Sequence, residues 1–239
     1  MKRALVTGGS GAIGAAICQR LAADGLHVIV HGRSRPARAE TVAAAIREAG
    51  GSAETAAFDV TDMAATARAI EALLAAGPIQ VLVSNAGAHH DAPMAGMKPE
   101  HWKDVIDVSL NGFFSVARPL LLPMMRTRWG RVIAISSISG IVGNRGQTNY
   151  AAAKAGLHGA ARSLALEVAS RGVTVNVVAP GIIDTEDTMR AFDAAAIDRL
   201  VPMQRAGKPE EVAGLVGYLA CDAAAYITGQ VIAVSGGIG

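Results

Sequence analysis

The chain has 239 residues, 51% of them apolar and 18% charged, with a formal net charge of +2. That length suits one large α/β domain over residues 1–239, and the composition favours a buried core over disorder. The small charge, with no dense basic run, argues against a nucleic acid partner held by bulk electrostatics. Cys18 and Cys221 lie far apart in apolar surroundings and match no metal or redox spacing, so no metal is expected. Met1-Lys2-Arg3 runs into Ala4-Leu5-Val6 and a glycine loop, an apolar stretch too short for a signal peptide. The most membrane-like stretch, at Leu120-Leu121-Leu122, is interrupted by Pro119, Pro123 and Arg126. The expectation is a cytoplasmic protein that inserts in no membrane.

In chain order, short apolar, β-branched runs alternate with longer amphipathic ones. Strand 4–7 precedes helix 13–24, strand 27–31 precedes helix 37–49, and a weaker strand, 53–58, precedes helix 63–76. Strand 81–84 leads to helix 102–126, strand 131–136 to helix 150–170, and strand 173–179 to helix 209–220 and a last strand, 231–234. The strands are apolar almost without interruption, as strands covered on both faces must be. Gly25, Gly50, Gly77 and Gly172 fall at or just past helix ends, where a left-handed residue is wanted. This alternation predicts a Rossmann-type, doubly wound parallel sheet of about seven strands with right-handed crossovers. Residues 184–203 match no motif and are a candidate lid.

The first strand–helix junction reads Thr7-Gly8-Gly9-Ser10-Gly11-Ala12-Ile13-Gly14. Glycines there let the backbone turn sharply and bring N–H groups against a pyrophosphate at a helix N-terminus. The spacing Gly9-x-Gly11-x-x-Gly14 is weak alone, in a chain with 27 glycines. Its place between a strand and a helix makes it a dinucleotide signal. NAD-binding folds place an acid after the second strand. Here the segment is His31-Gly32-Arg33-Ser34-Arg35-Pro36-Ala37-Arg38, with no acid before Glu40. Arginine pairs with a 2′-phosphate where an aspartate would repel it, so the cofactor is read as NADPH/NADP+, with Arg33 the first choice and Ser34 or Arg35 assisting. A solvated basic loop stays open as the alternative.

Tyr150 and Lys154 stand four apart in a predicted helix and share one face. A tyrosine near pKa 10 is a poor acid at neutral pH, and a neighbouring ammonium lowers that value. Ser137 ends the predicted strand 131–136 and would hold a substrate oxygen, all three meeting where open α/β sheets bind ligands.

These residues together resemble the classical short-chain dehydrogenase/reductase family across essentially the whole chain. The likeness takes in Thr7-Gly8 to Gly14, Asp59-Val60, Asn85-Ala86-Gly87, Ser137, Tyr150-x-x-x-Lys154, Pro180-Gly181 and Tyr226-Ile227-Thr228-Gly229-Gln230. It implies cofactor contacts from Gly8, Ser10, Gly11, Ile13, Gly14, Asp59, Val60, Asn85, Ala86, Gly87, Tyr150, Lys154, Pro180, Gly181 and Ile183. Two positions depart from the family pattern. Ala12 replaces the middle glycine, and Ser109 replaces an asparagine whose backbone carbonyl holds a water in a proton relay.

Within the family the stretches 143–157 and 167–181 are most similar to 3-oxoacyl-(acyl-carrier-protein) reductases of fatty-acid and related polyketide or polyene synthesis. That likeness implies an acyl thioester substrate and an acidic acyl carrier protein received at Arg128 and Arg171 beside the active-site mouth. It also implies a homotetramer built on helices 102–126 and 150–170. Dipole complementarity would explain two helix-end arginines equally well. A free-ketone enzyme of the same fold, or a non-catalytic subunit paired with a homologue, stays open as an alternative function.

Overall fold

A computed structural model describes residues 1–33 and 36–239. The apolar runs become β1 (Arg3–Val6), β2 (His27–Gly32), β3 (Ser52–Ala57), β4 (Val81–Ser84), β5 (Gly130–Ile135), β6 (Val173–Pro180) and β7 (Val231–Val234). Every boundary lies within one residue of the sequence expectation. The helices are α1 (Ala12–Ala23), α2 (Pro36–Glu48), α3 (Met63–Leu74), α4 (Pro99–Ile106), α5 (Gly112–Thr127) and α6 (Ser139–Val142). They continue with α7 (Thr148–Val168), α8 (Glu186–Ala191), α9 (Ala194–Leu200) and α10 (Pro209–Ala220).

The strands form one sheet in the order β3-β2-β1-β4-β5-β6-β7, and every neighbouring pair is parallel. Its two faces can be read residue by residue. Ala4 and Val6, Val28 and Val30, Val81 and Val83, and Ile133 and Ile135 pack beneath α1, α2 and α10. The residues between them, Leu5, Ile29, Leu82, Val132 and Ala134, pack beneath α3, α5 and α7. A strand's side chains alternate faces, so apolar residues at every position require a helical layer on each side. The chain builds β1 to β3 outward, then returns to place β4 beside β1. That reversal opens a crevice at the carboxyl ends of the strands, where sheets of this class take their ligands.

The single long helix expected over 102–126 is two helices joined by a wide π turn, Asp107–Asn111, with Ser109 at its centre. Pro119 and Pro123 both sit inside α5, within the range expected to be helical. Val116, Leu120 and Met124 are fully buried there. Each contributes about 1.5–3 kcal/mol of apolar burial, enough to outweigh a helix-interior proline at about 3 kcal/mol. By length and composition the run Pro99–Thr127 could cross a membrane, but half its apolar window is buried in the protein, as in a core helix. The illegible stretch 184–203 folds as α8 and α9, capped by Thr185 and Asp193, whose side chains accept N–H bonds from Thr188 and Ala196.

Gly172 turns the chain into β6 with φ +71°, and a Cβ there would lie 2.3 Å from the Arg128 carbonyl oxygen. Gly172→Ala should destabilise the fold by more than about 1 kcal/mol. Thermal denaturation should show the midpoint falling by roughly 2–4 °C per kcal/mol lost; an unchanged midpoint would contradict the strain.

Candidate active site

The loop between β1 and α1 is shaped by two glycines. Gly8 adopts φ +63°, open to glycine at little cost. Gly14 faces the loop so closely that a Cβ would sit 2.2 Å from the Gly8 carbonyl oxygen. Gly11 caps α1 without a side-chain bond, so the N–H groups of the first helical turn face the loop. Backbone donors at a helix start, over a cradle that a methyl group would fill, fit a pyrophosphate. A Cβ at Gly11 would meet nothing nearer than 3.5 Å, so that position is sterically undemanding. Ser10 and Ile13 flank it in the same turn.

The loop is fastened to the neighbouring strand. Asn85 Nδ2 donates to the Thr7 and Gly8 carbonyls at 3.0 Å each, and the Asn85 and Ala86 N–H groups donate to Thr7 Oγ1. Thr7 and Asn85 thus close the β1–β4 switch point.

At the ribose end, Arg33 Nη1 lies 3.7 Å from Asp59 Oδ2. Burial alone would raise the Asp59 carboxyl; the N–H and hydroxyl of Thr61, with the charge of Arg33, outweigh it and hold the group below its usual range. The Arg33–Asp59 pair sets a cation at the end of β2, beside Val60, which packs against Gly112. Ser34 and Arg35 lie outside the described residues. His31 was missed as a site residue. Its buried ring accepts from the Gly8 N–H at Nδ1 (3.2 Å) and meets the Phe58 carbonyl at Nε2 (2.9 Å).

A cleft of about 620 Å³ opens at the carboxyl ends of β4, β5 and β6, and Ser137, Tyr150 and Lys154 meet in its wall. Asn85, Gly87, Pro180, Gly181, Ile183 and Ile13 line it too, whereas Gly8, Arg33, Asp59 and Val60 do not. Ser137 Oγ accepts the Ser139 N–H at 3.1 Å. Asn149, fully buried, accepts the Tyr150 N–H and donates to the carbonyls of His90 and His101, fixing where α7 presents the tyrosine. Lys154 Nζ donates to the Ile135 carbonyl at 2.9 Å and stands 5.5 Å from the Tyr150 ring centre. Ser109 lies behind Gly87. A Cβ on Gly87 would be 3.4 Å from Lys154 Nζ and 3.6 Å from Ser109 Oγ, so both groups converge there. Among the described residues, Ser109 Oγ is the buried side-chain polar atom without a hydrogen-bond partner.

The electrostatics differ from expectation in one respect. Burial raises the Tyr150 phenol above its ordinary value; a hydrogen bond to Ser137 opposes this, and the Asp91 charge adds to it. Lys154 is not among the groups that lower it. Its own burial, with no carboxylate facing it, brings its pKa down to about 8. The lysine is therefore a cation at neutral pH that gives up its proton readily. Asp91 and Gln147 were also missed; they hydrogen-bond at 2.8 Å on the cleft rim, and the Gln147 amide oxygen accepts from Ser139 and Asn144. The loop position of Asp91 gave no periodic signal.

Arg128 and Arg171 need correction as to place. Both are exposed, but they precede β5 and β6 at the amino ends of the strands and line a separate hollow with Leu122, Met125 and Arg126. The six residues of β5, roughly 20 Å of strand, separate them from the end that carries Ser137. They do not stand beside this chain's own cleft.

The family model for short chain dehydrogenases matches residues 2–196, and the chain belongs to that family. It is 45% identical over 236 residues to the 3-oxoacyl-(acyl-carrier-protein) reductase FabG of Aggregatibacter actinomycetemcomitans, covering 98% of each chain. It is 45% identical over 241 residues to the FabG of Escherichia coli (strain K12), covering 99% of this chain and 97% of that one. A 3-oxoacyl-(acyl-carrier-protein) reductase of Synechocystis sp. is 44% identical over 237 residues, covering 98% of this chain and 96% of the relative.

Gly14→Ala should force the loop apart and weaken dinucleotide binding by at least about tenfold, while circular dichroism shows the fold kept; tight binding by the variant would count against the cradle. Asp91→Asn removes a charge that raises Tyr150. In the reductive direction tyrosine is needed protonated, so the alkaline fall of the pH–rate profile should move to lower pH; no movement would remove Asp91 from the site's electrostatics.

Proposed function

We propose that the chain reduces a 3-oxoacyl thioester carried on acyl carrier protein to the 3-hydroxyacyl thioester, as in fatty-acid or related polyketide synthesis, with NADPH as reductant. The observation that carries this is the convergence of Ser137, Tyr150 and Lys154 in one cleft beside the glycine loop, in a chain matched end to end by reductases of that specificity. The loop from Gly8 to Gly14 would hold the pyrophosphate, Arg33 the 2′-phosphate, Asp59 and Val60 the adenine side, and Asn85 to Gly87 with Pro180, Gly181 and Ile183 the nicotinamide half. When bound, NADPH supplies the hydride that reaches the 3-oxo carbon.

Ser137 and Tyr150 grip the carbonyl oxygen, and Tyr150 donates the proton that this oxygen takes up. The raised phenol pKa keeps the acid protonated until it is needed. Lys154, poised near pH 8, restores that proton. Ser109, with its unpartnered hydroxyl beside Lys154, continues the path behind it. Arg128 and Arg171 receive the acidic carrier electrostatically. From their place at the amino end of the sheet, the carrier they hold would serve the cleft of a neighbouring copy. Exposed Phe114 and Leu122 on α5 and Leu166 on α7 support a homotetramer built through those helices. The enzyme is cytoplasmic, a single NADP-binding domain over residues 1–239.

The test is NADPH oxidation with acetoacetyl thioesters of acyl carrier protein and of coenzyme A. Turnover should prefer the carrier-protein thioester and NADPH over NADH, and Tyr150→Phe should lower kcat by roughly 10²–10⁴-fold. Cofactor binding without turnover on either thioester would overturn the substrate assignment in favour of a free ketone or a non-catalytic role.

A further inference from the structure

His31 takes no part in the chemistry above, yet both nitrogens of its buried ring are engaged. The Gly8 N–H points at Nδ1 from 3.2 Å, and Nε2 lies 2.9 Å from the Phe58 carbonyl oxygen. A backbone N–H only donates and a carbonyl only accepts, so the ring proton must sit on Nε2. The two contacts therefore select one neutral tautomer, and burial, which disfavours the charged ring, works in the same direction.

The ring is strung between two stretches of backbone that a bound dinucleotide must lie against. On one side is Gly8, the φ +63° residue whose carbonyl also accepts from Asn85 and Gly11. On the other is Phe58, which leads into Asp59 and Val60 and whose ring lies 4.1 Å from the imidazole, tilted against it. The His31 carbonyl adds a bond from the Gly9 N–H at 2.9 Å. Two residues further on, Arg33 pairs with Asp59. The end of β2 thus grips the pyrophosphate loop and the adenine-side turn together.

We propose that His31 is a positioning residue for the dinucleotide, setting the spacing between the pyrophosphate loop and the adenine-side turn through Gly8 N and Phe58 O. The inference rests on the NADPH reading above. Thr7 and Asn85 hold the loop from its other side, so releasing His31 loosens one edge of the loop and leaves the rest anchored.

The test combines direct NADPH titration, steady-state kinetics and ¹⁵N NMR. His31→Asn keeps an acceptor for Gly8, His31→Gln keeps a donor for Phe58, and His31→Leu keeps neither. Each conservative variant should weaken the NADPH dissociation constant by roughly three- to tenfold, the worth of one hydrogen bond, and leucine by more than about tenfold. KM for NADPH should rise in step, with kcat at saturating cofactor held within about twofold. In the wild-type protein without cofactor, NMR should show a pyrrole-type Nε2 and a pyridine-type Nδ1. The opposite tautomer, leucine binding within about twofold of wild type, or asparagine and glutamine as weak as leucine would each overturn the proposal. A wild-type protein that binds no NADPH would instead overturn the cofactor reading itself, and this inference with it.

Discussion

Where β4 returns to lie parallel beside β1, the chain leaves the carboxyl ends of these two strands toward opposite edges of the sheet, and something must hold them in register. Thr7 and Asn85 do this with four hydrogen bonds across the switch point. Everything ligand-facing depends on that tie. The glycine loop is placed by it on one side, and the Asn85–Gly87 segment on the other carries the position where Lys154 and Ser109 converge. Buried polar side chains are stabilising only when their partners are satisfied, and here the partners are the backbone groups that the crevice would otherwise leave exposed.

The cleft is arranged around a buried cation that pairs with no carboxylate among the described residues. Lys154 is only 3% exposed, and its ammonium meets a carbonyl rather than a carboxylate. A buried carboxylate partner would have stabilised the charge and fixed the proton; a carbonyl leaves it movable. Tyr150 is shifted in the opposite sense, its proton held more firmly by burial and by Asp91. One group that keeps its proton thus stands beside another that releases it, which is how an acid and its supplier are told apart at a single pH.

The sheet was legible because alternation of faces and continuous apolar runs leave few other arrangements; each residue of Val81–Ser84 is buried, as its composition demanded. Tyr150, Lys154 and Ser137 were legible through spacing and motif. His31, Asp91 and Asn149 were not, because their roles come from contacts with Gly8, Gln147 and the loop carbonyls of residues 90 and 101, all distant in sequence. The tyrosine's acidity was misread for a related reason. Four-residue spacing puts a lysine on the right face of α7 but says nothing of the strand carbonyl that draws its Nζ aside. The place of Arg128 and Arg171 failed because a motif fixes the strand that follows it and not the end of the sheet on which a ligand waits.

The wide turn at Asp107–Asn111 couples this site to the core in a way that substitution alone would not reveal. A π turn carries one residue more than regular helix needs, and each helical residue rotates the chain by about 100°. Ser109, at the centre of that surplus, has its Oγ near the same Gly87 position as Lys154 Nζ, while Phe113, Val116 and Leu120 keep their stripe against the sheet beyond it. Length, not only identity, is therefore specified here: removing any one residue of the five would force a choice between the hydroxyl's place and the phase of α5.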